Sequence, residues 1–81
     1  MFNLYPNPNN GSMMLDYNLK DNTNATLQIV DITGKLINTY KLQNNVGSLS
    51  INEQSLINGV YFYRILVGDK IIKTDKLVII K

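Results

Sequence analysis

The sequence predicts an all-β fold, an antiparallel sandwich of about seven short strands, and three observations predict it. Apolar residues recur at every second position through most of the chain, the period of a strand with one buried face. Clusters of Asn, Asp, Gly and Pro interrupt that alternation at short, regular intervals, as turns do between strands. No stretch holds a helical period for long.

Residues 2–5 (Phe-Asn-Leu-Tyr) open with a short strand, stopped by the turn cluster Pro6, Asn7, Pro8, Asn9, Asn10 and Gly11. Residues 13–19 set Met13, Leu15, Tyr17 and Leu19 against Met14, Asp16 and Asn18, which makes a half-buried strand. A turn is expected at residues 21–24. Beyond it, Ala25, Leu27 and Ile29 take one face and Thr26 and Gln28 the other, until Asp31-Ile32-Thr33-Gly34 reverses the chain. There the Asp carboxylate accepts main-chain N–H bonds, and the Gly three positions on supplies a positive φ. The returning strand, residues 35–42, places Leu36, Tyr40 and Leu42 on one face and Thr39 and Lys41 on the other. Residues 43–47 read as a polar loop.

Leu49 and Ile51 mark a short strand, and residues 53–56 make a single helical turn or a corner. Asn58-Gly59 launches the strongest strand, residues 60–67, with Tyr61, Tyr63, Ile65 and Val67 inward, and this strand is expected to be central. Gly68-Asp69 is a two-residue hairpin turn. Residues 71–80 return beside it, polar at Lys73-Thr74-Asp75-Lys76 and apolar at Leu77-Val78-Ile79-Ile80. This number and spacing of strands fits a β-sandwich of immunoglobulin-like type, with a small barrel as the alternative. Leu56, Gly59 and Tyr61 match a tyrosine corner, in which a Tyr near a strand start bonds backbone a few residues upstream. The Cys-Trp-Cys core of antibody domains is missing, so only the architecture is shared.

At 81 residues the chain is a single domain. It has no Cys, His or Trp. Without His and Cys it lacks the usual zinc ligands and the Ser-His and Cys-His nucleophile pairs, so no metal site, no cofactor and no catalytic residue is expected. Asp16, Asp21, Asp31, Glu53, Asp69 and Asp75 sit singly, in turns or on polar faces, and form no close acid pair. Eight Lys/Arg against six Asp/Glu leave a net charge of +2, and the lysines are spread rather than clustered, which argues against nucleic acid as a partner. Tyr61, Phe62, Tyr63 and Arg64 form no stacking platform for single strands, because their faces alternate. No apolar run reaches the roughly 18 residues of a membrane helix.

The first residues also lack the charged and apolar regions of a signal peptide. If the domain is exported, its signal for the inner membrane lies elsewhere, or the chain is a piece excised from a larger protein. Asn is over-used, and the Asn10-Gly11-Ser12 and Asn24-Ala25-Thr26 triplets are read as products of that bias rather than as glycosylation sites.

Four signals stand in order along the chain. They are Tyr5-Pro6-Asn7-Pro8 with Gly11, Asp31-Ile32-Thr33-Gly34-Lys35, Leu56-Ile57-Asn58-Gly59-Val60-Tyr61, and Lys76-Leu77-Val78-Ile79-Ile80-Lys81. Together they resemble the C-terminal sorting domain of the type IX secretion system (type A, Por secretion system), over essentially the whole chain. The resemblance implies a secretion signal at the end of a larger protein of Bacteroidetes-group bacteria, covalently joined to an N-terminal cargo domain. It implies passage through the periplasm to the cell surface or medium, and recognition by the outer-membrane translocon with its shuttle or receptor protein. It also implies removal of the tag, in many cases, by a sortase-like signal peptidase. Such a domain is a monomeric address label and not an enzyme.

On this resemblance the recognition residues are Pro6, Asn7, Pro8, Gly11, Asp31, Gly34, Lys35, Gly59, Tyr61, Lys76 and Lys81. Each also has a plain structural role. The prolines stiffen a junction, Asp31, Gly34 and Lys35 build a turn, and Gly59 and Tyr61 belong to the corner and core. Only Lys76 and Lys81 do little for a core. The last strand would serve recognition if it lay at a sheet edge, where a partner can add a strand. The alternative function is a generic immunoglobulin-like or fibronectin-like module that binds protein or carbohydrate, for which Tyr5, Tyr17 and Tyr40 are the candidate aromatics.

Overall fold

The computed structural model describes residues 2–19, 24–42 and 46–81. Seven strands follow one another: β1 (Phe2–Tyr5), β2 (Ser12–Asn18), β3 (Ala25–Val30), β4 (Leu36–Leu42), β5 (Val46–Asn52), β6 (Gly59–Val67) and β7 (Lys70–Ile79). Among the described residues there is no helix. The strands pair antiparallel in two sheets, one ordered β1-β2-β5 and the other β4-β3-β6-β7. The fold is the predicted antiparallel sandwich, and β6 is central between β3 and β7.

The period-two reading assigns the faces correctly in most places. Met13, Leu15, Tyr17, Ala25, Leu27, Ile29, Ile51, Tyr61, Tyr63, Ile65, Leu77 and Ile79 are all buried between the sheets. Outward-facing positions bond across the strands instead. On the three-stranded sheet Asp16 accepts from Tyr5 Oη at 3.0 Å and from Ser48 Oγ at 2.6 Å. On the other, Arg64 Nε donates to Gln28 Oε1 at 2.8 Å, between residues directly opposite in register.

Three expectations need correction. Leu36, read as inward, is exposed. The register steps from Ile29 opposite Asn38 to Val30 opposite Leu36, so Ile37 is an extra residue on β4. Such a bulge reverses the facing of everything before it. Ile37 packs against the core in place of Leu36. Gly47, read as loop, is paired with Tyr17 inside β5. Glu53, read as an acid on a turn or polar face, is buried. Its carboxylate accepts from Tyr40 Oη and, at 2.8 Å, from Asn38 Nδ2, both on β4 of the opposite sheet. Residues 53–56 are a corner rather than a helical turn, closed by Leu56 N–H donating to the Glu53 carbonyl at 3.3 Å. The turn expected at residues 21–24 and the loop at 43–47 lie largely outside the described residues.

Candidate functional site

The turn cluster between β1 and β2 lies along the outer edge of β7. Asn7 supplies one side-chain amide to two backbone groups, with Nδ2 donating to the Lys76 carbonyl at 2.8 Å and Oδ1 accepting from Val78 N–H at 3.1 Å. Asn9 continues with its own backbone. Its N–H donates to the Val78 carbonyl at 3.0 Å, and its carbonyl accepts from Ile80 N–H at 2.8 Å, a short parallel bridge opposite Ile79. Pro6 and Pro8, both preceded by cis peptide bonds, flank Asn7. The buried Asn9 side chain fixes the segment, donating to the Pro6 carbonyl at 2.9 Å and accepting from Gly11 N–H at 2.8 Å.

Gly11 joins this segment to the corner. Its carbonyl accepts from Glu53 N–H at 2.7 Å, and its φ is 107°. A Cβ at this position would stand 2.6 Å from the Glu53 carbonyl oxygen. Only glycine fits that approach.

The β3–β4 turn is organised by one oxygen. Asp31 Oδ1 accepts from Thr33 N–H at 2.9 Å, Thr33 Oγ1 at 2.6 Å and Lys35 N–H at 2.9 Å. These bonds, that of the Thr33 hydroxyl first, hold the Asp31 carboxyl below its ordinary pKa, because they favour the charged form. Gly34, with φ of 91° and open space around it, serves the reversal by its backbone alone.

At the corner Tyr61 Oη donates to the Ile57 carbonyl at 2.8 Å, the tyrosine corner expected from the spacing. Lys81 is held against the same corner. Its N–H donates to Asn58 Oδ1 at 2.8 Å, and its ammonium reaches the Gln54 carbonyl. Between corner and turn runs an open apolar groove of about 510 Å³, whose walls include Asp31, Ile32, Ile37, Leu56, Ile57, Val60 and Tyr61.

The predicted residues are therefore brought together unequally. Asp31, Gly59 and Tyr61 line the groove, and Lys81 lies against the corner that forms one wall. Pro6, Asn7, Pro8 and Gly11 brace the adjoining edge and corner, while Gly34 and Lys35 complete the turn. The Lys76 side chain stands apart, on the outer face of its sheet beside Phe62 in register. Residue reasoning did not single out Asn9, Glu53, Ile32 or Ile57. Of these Ile32 and Ile57 carried a signal, each a large apolar residue inside one of the four ordered stretches.

Among the described residues no group of three or more His, Cys, Asp or Glu side chains is placed to hold a metal ion. A family model described as the secretion system C-terminal sorting domain matches residues 3–81 of the chain. No curated protein matches it.

Proposed function

Because the chain belongs to the family of secretion system C-terminal sorting domains, it is a sorting signal for secretion to the cell surface or medium, and we propose that the outer-membrane type IX machinery reads it. The family is one of signals and not of enzymes. In this reading the domain is a single unit, monomeric, covalently attached to an N-terminal cargo, and carried across the inner membrane under a separate signal. In the periplasm the translocon and its shuttle or receptor protein bind it. A sortase-like peptidase then removes it as the cargo is released or anchored.

The observation that supports this reading best is the convergence of the four sequence signals. The Pro6 to Gly11 segment grips β7 and the corner, the corner holds Lys81, and corner and Asp31 turn together wall one groove. Antiparallel order alone brings the segments after β1, β3, β5 and β7 to one end, and the support lies in the bonds that tie them to one another there.

Export of a reporter fused ahead of residue 1 in a type IX-competent host tests the proposal. Deleting residues 77–81, or appending residues after Lys81, is expected to abolish export. Undiminished export of both variants overturns it.

A further inference from the structure

β7 is an edge strand, yet its backbone is closed to strand addition along its length. Asn7 and Asn9 occupy the outward backbone groups of Lys76, Val78 and Ile80. The other half carries a register shift at Ile72 together with Lys70 and Lys73, features that oppose edge pairing. A partner that reads this strand meets its side chains, and the one among them that folding leaves without a task is Lys76.

Lys76 belongs to the outer face of the four-stranded sheet. Tyr61, Tyr63 and Ile65 are buried, so the alternate residues Phe62, Arg64 and Leu66 face out. Lys76 stands opposite Phe62, and Lys41 stands opposite Thr26, which is itself opposite Leu66. The fold thus gathers three of the chain's eight Lys/Arg, remote from one another in sequence, on one face. Among the described residues no carboxylate shares it. Asp75 takes the other face of β7, opposite Tyr63, where its carboxylate meets Lys73 Nζ at 3.8 Å. Asp16 lies on the other sheet, Glu53 is buried, and Asp31 and Asp69 stand in the turns that end the strands. Lys73 with Asp75 is the one ion pair among the described residues, so the charges of Lys41 and Lys76, both exposed, are not neutralised.

The three cations also lie in a line. They occupy β4, β6 and β7 at rows two residues apart, a diagonal across the sheet. Arg64 and Lys76 are diagonal neighbours, about 7–8 Å apart. Lys41 is two strands and two residues from Arg64, about 12 Å. In an extended chain the side chains of one face repeat at about 7 Å, so residues two and four apart match these intervals. Gln28 Oε1 accepts from Arg64 Nε at 2.8 Å, which fixes the guanidinium on the sheet and leaves its terminal nitrogens for a carboxylate.

We propose that this outer face is a docking surface for an extended protein segment that carries carboxylates at alternate positions. The proposal rests on the reading of the domain as a sorting signal and names the chemistry of what reads it. Three cations are fewer than the about six to ten phosphate contacts of a strong nucleic-acid binder, and fewer than the about four to eight basic residues that hold a segment to an anionic membrane. They suit a few carboxylates in fixed register, where complementary charge gives orientation and selectivity.

The test uses the purified chain and the same chain fused behind a reporter in a type IX-competent host. The probe is an alternating Glu-Ser peptide of about eight residues, long enough at 3.3 Å per residue to cross the diagonal. It is expected to shift the amide signals of Lys41, Arg64 and Lys76, less so at high salt, and to spare that of Lys70. The variants are the Lys41→Glu, Lys76→Glu double variant, Lys76→Arg, and Lys70→Glu as the same charge change at the hairpin. Thermal midpoints establish that each folds. The unaltered fusion, Lys76→Arg and Lys70→Glu should all be exported, with about a tenfold or greater loss in the double variant, since it sets like charges against each other. Full export of the folded double variant, or an equal loss in Lys70→Glu, overturns the face while leaving the sorting function standing. Failure of the peptide to shift the three residues overturns the acidic segment, as does the same footprint from phosphatidylglycerol vesicles or a single-stranded oligonucleotide in its place. Retention of the unaltered fusion overturns the sorting function and the face's part in it.

Discussion

One carboxylate oxygen of Asp31 organises the whole reversal between β3 and β4, and its low pKa makes that turn sensitive to acid. The sign follows from linkage. A carboxyl whose folded-state pKa lies below the ordinary value of about 3.9 stabilises the fold above that value and loses its contribution as pH falls through the folded-state pKa. Thermal midpoints measured from pH 7 down to pH 2 should therefore fall less steeply for Asp31→Asn than for the unaltered chain. Identical slopes would contradict the assignment. The Asp31 turn was legible in the sequence because all its partners lie within four positions. Gly11 was read as a turn residue, but what fixes it, and what buries Glu53, was not legible, because it lies far along the chain. The atom that forbids a side chain at Gly11 belongs to residue 53, and the groups that make burial of Glu53 tolerable come from β4.

At the scale of elements, alternation locates strands well and misplaces a face wherever a bulge intervenes. Nothing in Leu36-Ile37-Asn38 marks Ile37 as the extra residue, since either phase offers an isoleucine or leucine to the core. The Pro6 to Asn9 segment was harder still. It reads as a turn, and it is one, yet it also runs parallel to β7 with only two asparagines making the bonds. Asn7→Ala removes both bonds from its side chain to β7, and a loss of about 1 kcal/mol in unfolding free energy is expected from the net worth of such bonds. Chemical denaturation measures that loss. Hydrogen exchange should locate it, with the Val78 amide exchanging faster while amides of β2 and β3 stay protected. An unchanged Val78 would mean that Asn7 contributes nothing to the edge.

The molecule as a whole is a thin sandwich, 37 × 23 × 17 Å, with room for one layer of side chains between its sheets. Leu15, Leu27, Ile29, Ile51, Ile65, Leu77 and Ile79 fill that layer and are fully buried. With no Cys to cross-link it, the domain depends on this layer and on polar ties such as Glu53 to Tyr40. Small single-core domains of this kind have limited reserves. A calorimetric midpoint below about 90 °C, the usual threshold of hyperstability, is expected for the isolated domain. A higher value would show that the one-layer core understates what holds the sheets together.

The bonds from Asn7 to Lys76 and Val78 join positions 69 and 71 apart, almost the span of the chain. Contacts so remote in sequence are the slowest to form, and they need both partners to have been synthesised. A polypeptide stalled before residue 76 can build β1 to β6, but it gives Asn7 and Asn9 nothing to close upon. Closure of this end is thus a record that the chain has been made through β7. Whatever binds only the closed form rejects, without any further check, chains that stop short of that strand.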